Sequence, residues 1–163
     1  MRSFMILIGG LIVLAAANVG IYQKEQLLAS GRSVLLELAP VDPRSLMQGD
    51  YMALRFKVAN DAFGRVPPET LEDGRIVLTV DDRGVGSFSR LDDGTPLGSG
   101  EMVMRYRVRH QSPKFATNAF FFQEGHADFY AAARFGEFRV SASGDAILTN
   151  LRGEELDVLG PPR

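Results

Sequence analysis

The longest apolar run of the chain lies near its start. Between Phe4 and Ile21, 14 of 18 residues are apolar and none is charged. A helix of that length reaches about 27 Å, which is close to the roughly 30 Å hydrocarbon core of a bilayer. We therefore predict a transmembrane helix over residues 4–21. It is expected to continue as a helical stalk until Ser30 and Gly31 end it.

A cleaved secretory signal is the main alternative for this segment. Arg2 supplies a short positive region, and Ala15-Ala16-Ala17 provides small residues of the kind that a signal peptidase accepts. We favour a retained anchor, because the apolar run continues to Ile21 and is followed by Tyr22 and Lys24, a typical interfacial pair. The protein is then a single-pass protein of the inner (cytoplasmic) membrane with its C-terminal domain in the periplasm. A buried core helix is a third interpretation.

The rest of the chain shows the pattern of a β domain. Short β-branched and aromatic runs are separated by Gly, Asp and Pro, which is typical of strands and turns. The predicted strands are Ser33–Leu38, Tyr51–Val58, Arg75–Asp81, Gly84–Leu91, Glu101–His110, Phe115–Phe122, Arg134–Ser141 and Ala146–Leu151. Only Glu124–Ala133 is predicted to be helical. We expect residues 1–30 to form the membrane anchor and stalk, and residues 31–163 to form a compact antiparallel β-barrel or sandwich with one short helix.

Composition and charge exclude several classes of function. The 18 basic and 20 acidic residues give a net charge of −2, which excludes a nucleic-acid module held by bulk charge. The absence of cysteine excludes a disulfide scaffold, an iron–sulfur site and a thiol nucleophile. His126 lies near Glu124 and Asp128, and we interpret these carboxylates as favourable charges at a helix start rather than as metal ligands. We predict no metal and no cofactor.

The chemically densest segment runs from Pro40 to Tyr51. Its two prolines fix the backbone and remove amide donors, so the segment cannot be a helix interior or a ladder strand. Gly49 permits a sharp turn, and Asp50 can accept hydrogen bonds from loop amides. Tyr51 then opens a strand. Alternate residues of that strand are expected to face the core, namely Met52, Leu54, Phe56 and Val58.

These residues resemble a known family. Gly49-Asp50-Tyr51-Met52-Ala53-Leu54-Arg55-Phe56 resembles the motif of the GDYxxLxY family, bacterial membrane-associated proteins with no established activity, although Phe56 stands where the family name has Tyr. Asp42-Pro43-Arg44 precedes the motif as in that family. Phe122-Gln123-Glu124-Gly125 resembles its second block, in which an aromatic strand ends in Glu-Gly before a helix. The resemblance implies a membrane-tethered extracytoplasmic domain, often associated by gene neighbourhood or fusion with multi-pass membrane proteins of unknown function.

On these grounds we expect an accessory or docking protein for a multi-pass membrane partner, without catalytic activity. The candidate binding or structural residues are Asp42, Arg44, Gly49, Asp50, Tyr51, Leu54, Phe56, Glu124 and Gly125. Asp42, Arg44 and Asp50 also fit a simpler role, in which the guanidinium bridges the two carboxylates and rigidifies the loop. The expected partners are that membrane protein and the lipid bilayer around residues 4–21, with no nucleic acid.

A hydrolase and a ligand-binding domain both remain open. Ser45 and Lys57 are a possible nucleophile and base of an envelope hydrolase, and the loop resembles that of type I signal peptidases, in which a Ser-Met pair and a later Gly-Asp precede a strand. The spacing departs from that family, because only three residues separate Ser45 from Gly49. A small-ligand-binding β domain would instead have a pocket lined by Arg44, Tyr51 and Glu124.

Two strand faces also predict contacts. Phe120, Phe121 and Phe122 are consecutive, so Phe121 is expected to point away from the core unless the predicted helix covers it. In the strand Glu101–His110, alternate arginines share one face. That face is either solvated or directed at anionic lipid headgroups close to the anchor.

Overall fold

The computed structural model describes residues 2–39, 47–48 and 51–161 of the chain. Two α-helices, α1 (Arg2–Ser30) and α2 (Lys57–Phe63), are accompanied by ten strands. The strands are β1 (Arg32–Glu37), β2 (Met47–Gln48), β3 (Tyr51–Ala53), β4 (Gly74–Val80), β5 (Gly86–Leu91), β6 (Glu101–Arg109), β7 (Ser112–Lys114), β8 (Ala119–Phe121), β9 (Phe135–Val140) and β10 (Ala146–Arg152). Short 3₁₀ turns lie at Pro68–Thr70 and Ala127–Tyr130.

Helix α1 ends where the sequence predicts. The amide of Gly31 donates to the Leu27 carbonyl (2.9 Å), and a Cβ at Gly31 would clash with that backbone oxygen, so only glycine fits. Leu27 is buried and Arg139 donates to the Gly31 carbonyl (3.0 Å), which fixes the end of the helix against the β domain. Among the residues described, no helix combines the length and the apolar character that crossing a membrane requires.

The strands form three antiparallel sheets that join into a half-barrel. Their orders are β1-β9-β10, β2-β3-β8 and β5-β4-β6-β7. Single contacts connect the sheets. Leu35 forms a parallel bridge with Val85 next to β5, and Leu38 forms an antiparallel bridge with Phe56 after β3. The amide of Arg105 in β6 also donates to the Gly144 carbonyl (2.8 Å) in the β9–β10 turn. The mostly antiparallel β prediction is thus confirmed.

One hydrophobic core lies between these sheets. Phe56, Phe115 and Phe138 are its largest fully buried side chains. The ring of Phe56 meets the Phe115 ring at 6.4 Å and the Phe138 ring at 5.3 Å between centroids, both edge to face. Met52 and Leu54 are also buried, as the alternation of this segment predicts. The segment Met52–Phe56 therefore supplies the centre of the core.

The prediction of one long strand over Tyr51–Val58 is wrong beyond Ala53. Phe56 is still extended (φ −108°, ψ 136°), and α2 begins at the next residue. Buried Val58 and Phe63, together with the partly buried Ala59 and Ala62, pack on the core from one side of this helix. The spacing of these four apolar residues is helical, and it outweighs the short alternation of Phe56 and Val58.

The predicted helix over Glu124–Ala133 is also wrong. Only the single 3₁₀ turn Ala127–Tyr130 forms, and Gly125 before it has a positive φ of +81°. The strand predicted over Phe115–Phe122 is shortened to β8, because Ala116 has a φ of +54° and breaks the extended chain. The other six predicted strands are confirmed to within two residues at each end. Within residues 51–161 the structure thus has one short α-helix, as expected, but it is α2 (Lys57–Phe63) and not Glu124–Ala133.

Candidate functional site

The GDY block and the Phe122–Gly125 block are neighbours in one sheet. Strand β3 opens with Tyr51 of the first block and pairs antiparallel with β8, which leads into the second block. The paired residues are Tyr51 with Phe121, Met52 with Phe120, and Ala53 with Ala119. Segments far apart in sequence therefore form one local structure.

The two faces of this strand pair differ. On the inner face, Met52 is buried, and Phe120 packs its ring on Tyr130 at 5.0 Å between centroids. On the outer face, the rings of Tyr51 and Phe121 lie 5.7 Å apart, and Phe121 is 73 % exposed. The prediction that Phe121 points away from the core is confirmed. We call Tyr51 and Phe121 the aromatic patch.

The Phe122–Gly125 block forms a turn that places Tyr130 on the inner side of the aromatic patch. The amide of His126 donates to the Gln123 carbonyl (3.0 Å), which closes a turn around Glu124 and Gly125. The positive φ of Gly125 is a conformation that glycine adopts without strain. The turn brings the chain back, so that Tyr130 stacks on Phe122 at 5.3 Å and an interplanar angle of 27°. This stack supports β8 from the inside, while Glu124 itself is exposed.

A second aromatic pair lies on the segment after β8. The rings of His126 and Phe129 meet edge to face at 5.4 Å, and Phe129 is 40 % exposed. The sequence between β8 and β9 thus carries aromatic rings both inward, at Phe122 and Tyr130, and outward.

Comparison with known proteins gives one result. A family model described as GDYXXLXY protein matches residues 13–151. The chain belongs to the GDYXXLXY family. No curated protein and no solved structure matches it. The resemblance drawn from the two motif blocks is therefore confirmed.

Several candidate residues, in the motif and before it, fall outside the described part of the chain. These are Asp42, Arg44, Gly49 and Asp50, and Ser45 also lies there. The proposed bridge between Arg44 and the two carboxylates therefore stays a prediction. The described motif residues separate into two groups, because Tyr51 lies in the aromatic patch whereas Leu54 and Phe56 are core residues.

Lys57, the possible base of an envelope hydrolase, is held in ion pairs. Its Nζ atom lies 3.6 Å from the Glu37 carboxylate and 3.8 Å from that of Asp61. All three side chains are about half exposed. In the structure the Lys57 amine therefore has the contacts of a surface ion pair.

The remaining alternatives at the motif are a metal site and a ligand pocket. No group of three or more His, Asp and Glu side chains within residues 2–39, 47–48 and 51–161 could hold a metal ion. Neither Tyr51 nor Glu124 lines any of four open cavities found in the same part of the chain, whose volumes run from about 380 to about 840 Å³.

Sequence reasoning missed a buried carboxylate in β9. Glu137 is 6 % exposed and accepts hydrogen bonds from Arg152 Nε (2.9 Å), Asn150 Nδ2 (3.0 Å) and Ser33 Oγ (3.1 Å). Burial opposes ionisation of Glu137, but the hydrogen bonds from Arg152 and Asn150 outweigh it, so the pKa of the carboxyl is lowered from its ordinary value. These three donors lie on β1 and β10, on either side of β9, so we call the group the Glu137 clamp.

Proposed function

We propose that this protein is a membrane-held accessory protein that docks on a multi-pass membrane protein through the aromatic patch. The observation that carries this proposal is the 73 % exposure of Phe121 beside Tyr51, at the point where the two motif blocks pair. Large aromatic side chains on a rigid strand are the residues that most often anchor protein interfaces. Residues 49 and 50, which precede Tyr51 in the sequence, and the Phe122–His126 segment complete the proposed contact surface.

The membrane position rests on helix α1. Leu11, Ile12, Val13 and Leu14 are each more than 60 % exposed. Consecutive helix residues point about 100° apart, so these four side chains cover all sides of the helix. A helix that is apolar all round is stable when it is surrounded by lipid or protein. We infer that residues 4–21 lie in the inner membrane as a single span and that the β domain stands in the periplasm.

The membrane position is tested with single-cysteine variants, because the natural chain has no cysteine. A cysteine at Ser112, an exposed residue of β7, is expected to react with a membrane-impermeant maleimide in intact spheroplasts. A cysteine at Ser3 is expected to react only after the membrane is opened. Extraction with alkaline carbonate should leave the protein in the membrane fraction. Labelling of the Ser112 variant only after lysis would overturn the periplasmic position.

The docking proposal is tested by affinity purification from detergent-solubilised membranes. The wild-type chain is expected to recover one multi-pass membrane protein in stoichiometric amount, and Phe121→Ala is expected to lose it. Leu91→Ala is the matched control, because Leu91 is 48 % exposed but lies on β5, outside the aromatic patch. Equal recovery by the wild type and by Phe121→Ala would overturn the proposal, as would equal loss with Leu91→Ala.

A further inference from the structure

A concave basic surface lies between helix α1 and the β6–β7 hairpin. Its cavity of about 380 Å³ is lined by Lys24 from α1, by Arg105, Arg107 and Arg109 from β6, and by Lys114 from β7, with Asp145 as the one acidic lining residue. We call this the basic cavity. The prediction that the arginines of β6 share one face is confirmed, because the intervening Tyr106 is buried in the core.

The charges in the basic cavity are only partly balanced. Arg105 Nη1 lies 2.9 Å from Asp145, and Arg109 Nη1 lies 3.5 Å from Asp73. Lys24, Arg107 and Lys114 form no ion pair with any carboxylate in the described part of the chain. Three positive charges therefore remain available to an anion.

The excess of positive charge in the β6–β7 hairpin is unfavourable for folding. Arg107 and Lys114 are direct cross-strand partners, and like charges in such a position destabilise a hairpin. The connecting residues His110 and Gln111 both have positive φ, at 53° and 58°, which histidine tolerates better than most residues but which is unfavourable for glutamine. Folding alone thus does not explain the positive charges, whereas a bound anion would neutralise them.

We propose that the basic cavity binds the phosphate group of an anionic phospholipid headgroup. Guanidinium and ammonium groups together match the charge and the acceptor oxygens of a phosphodiester. Lys24 follows Ile21, the last residue of the apolar segment, by less than one helical turn. The inference rests on the proposed membrane position, because only then does the cavity lie at the level of the headgroups, where anionic lipids attract basic side chains.

The experiment uses the full-length protein in lipid nanodiscs and follows hydrogen–deuterium exchange of the amides of residues 107–114. One nanodisc contains phosphatidylcholine alone, in which the choline cation balances the phosphate of the same headgroup. A second contains a mixture of phosphatidylcholine and phosphatidylglycerol, and a third is the neutral nanodisc with added inorganic phosphate. Exchange is expected to be severalfold slower in the anionic nanodisc than in the neutral one. Inorganic phosphate should leave it unchanged, and added salt should reduce the difference.

Lys114→Glu is the decisive variant. It places a carboxylate opposite Arg107, which favours the hairpin while it removes the anion site, so a lost lipid effect is not a folding defect. Arg83→Glu is the matched control, because it makes the same charge change in the exposed β4–β5 turn. The lipid effect is expected to disappear with Lys114→Glu and to persist with Arg83→Glu.

Five outcomes would overturn the inference. Persistence of the lipid effect with Lys114→Glu would do so, as would equal exchange of the wild type in neutral and anionic nanodiscs. Equal loss of the lipid effect with Lys114→Glu and Arg83→Glu would indicate bulk charge alone. Protection by inorganic phosphate in the neutral nanodisc would indicate a free-phosphate site instead. Failure of the protein to enter either nanodisc would overturn the membrane position itself, and it is distinguishable from the other four outcomes, in which the protein is incorporated.

Discussion

The sheets β1-β9-β10 and β2-β3-β8 differ in how far a side chain on their outer face is exposed to solvent. In the first, the carboxylate of Glu137 is withdrawn from water and receives hydrogen bonds from both neighbouring strands. In the second, the ring of Phe121 stays 73 % exposed, although Phe120 beside it packs on the core. A buried polar group with a full set of partners fixes strand register, whereas an exposed ring contributes little to folding. We infer that the first sheet serves stability and that, under the proposed function, the second serves contact.

Substitution of Phe56 tests this difference with the largest expected loss of stability, because Phe56 joins the two sheets. It bridges to Leu38 after β1, and its ring contacts Phe138 of β9. Phe56→Ala is expected to lower the free energy of unfolding by about 4 kcal/mol, since it leaves a cavity at the centre of the core. Phe121→Ala, the same change on the exposed face, is expected to lower it by less than about 0.5 kcal/mol.

Urea unfolding of the full chain in detergent, followed by circular dichroism, measures both changes. Similar losses of stability in the two variants would show that Phe121 also belongs to the folding core. The separation of the two sheets into stability and contact would then be wrong.

The alternation of the sequence is sufficient to predict which aromatic residues of the motif lie inside. Met52, Leu54 and Phe56 follow a period of two and are buried, and Phe121 is the middle of three aromatics in a strand, so it must face outward. Alternation fails at α2, because Phe56 and Val58 fit a strand while Val58, Ala59, Ala62 and Phe63 fit a helix. Only the tertiary contacts decide whether this segment forms a strand, with a period of two, or a helix.

The Glu137 clamp provides the next largest expected effect. Glu137→Ala leaves the guanidinium of Arg152, whose side chain is 26 % exposed, without its carboxylate partner. We expect the free energy of unfolding to fall by about 3 kcal/mol. The control is Glu154→Ala, which removes an exposed carboxylate nearby and should change stability by less than about 0.5 kcal/mol.

A double variant, Glu137→Met with Arg152→Met, sharpens the test. It removes both charges, so no buried ion lacks a partner, and it is expected to be more stable than Glu137→Ala. If the single and double variants were equally unstable, the ion pair would not be the source of the effect.

The clamp also predicts a dependence on pH. The pKa of Glu137 is lowered in the folded protein from its ordinary value of 4.5, so the unfolded chain binds a proton more readily. The stability that this carboxylate provides is complete above the ordinary pKa and is lost as the pH falls through the lowered one. The wild type is therefore expected to lose more free energy of unfolding between neutral pH and about pH 3 than Glu137→Gln does. Parallel pH profiles of urea midpoints for the two proteins would contradict this expectation.

The burial of Glu137 in the clamp could not be predicted from the sequence, for a physical reason. Glu137 alternates with Gly136 and Phe138 onto the polar face of its strand, where a charged residue is usually solvated. Its burial depends on Ser33, Asn150 and Arg152, which come together only when β1 and β10 pair with β9. Similarly, the alanines of residues 131–133 favour a helix locally, but the turn at Gly125 and the stack of Tyr130 on Phe122 impose a different path.

The smallest expected effect concerns Lys57, which lies outside both sheets as the first residue of α2. Its ion pairs with Glu37 and Asp61 are about half exposed, and such pairs contribute between zero and about 1 kcal/mol. Lys57→Met is therefore expected to leave the urea midpoint nearly unchanged.

The same variant tests docking against catalysis. If the protein acts by docking alone, Lys57→Met should leave recovery of the membrane partner and complementation of a deletion strain unchanged. Ser45→Ala should behave in the same way. A Lys57→Met protein that is folded and membrane-bound but fails to complement would mean that the amine takes part in proton transfer. Loss of complementation by both Lys57→Met and Ser45→Ala would mean that the protein is a catalyst, and the contact role inferred for the second sheet would be wrong.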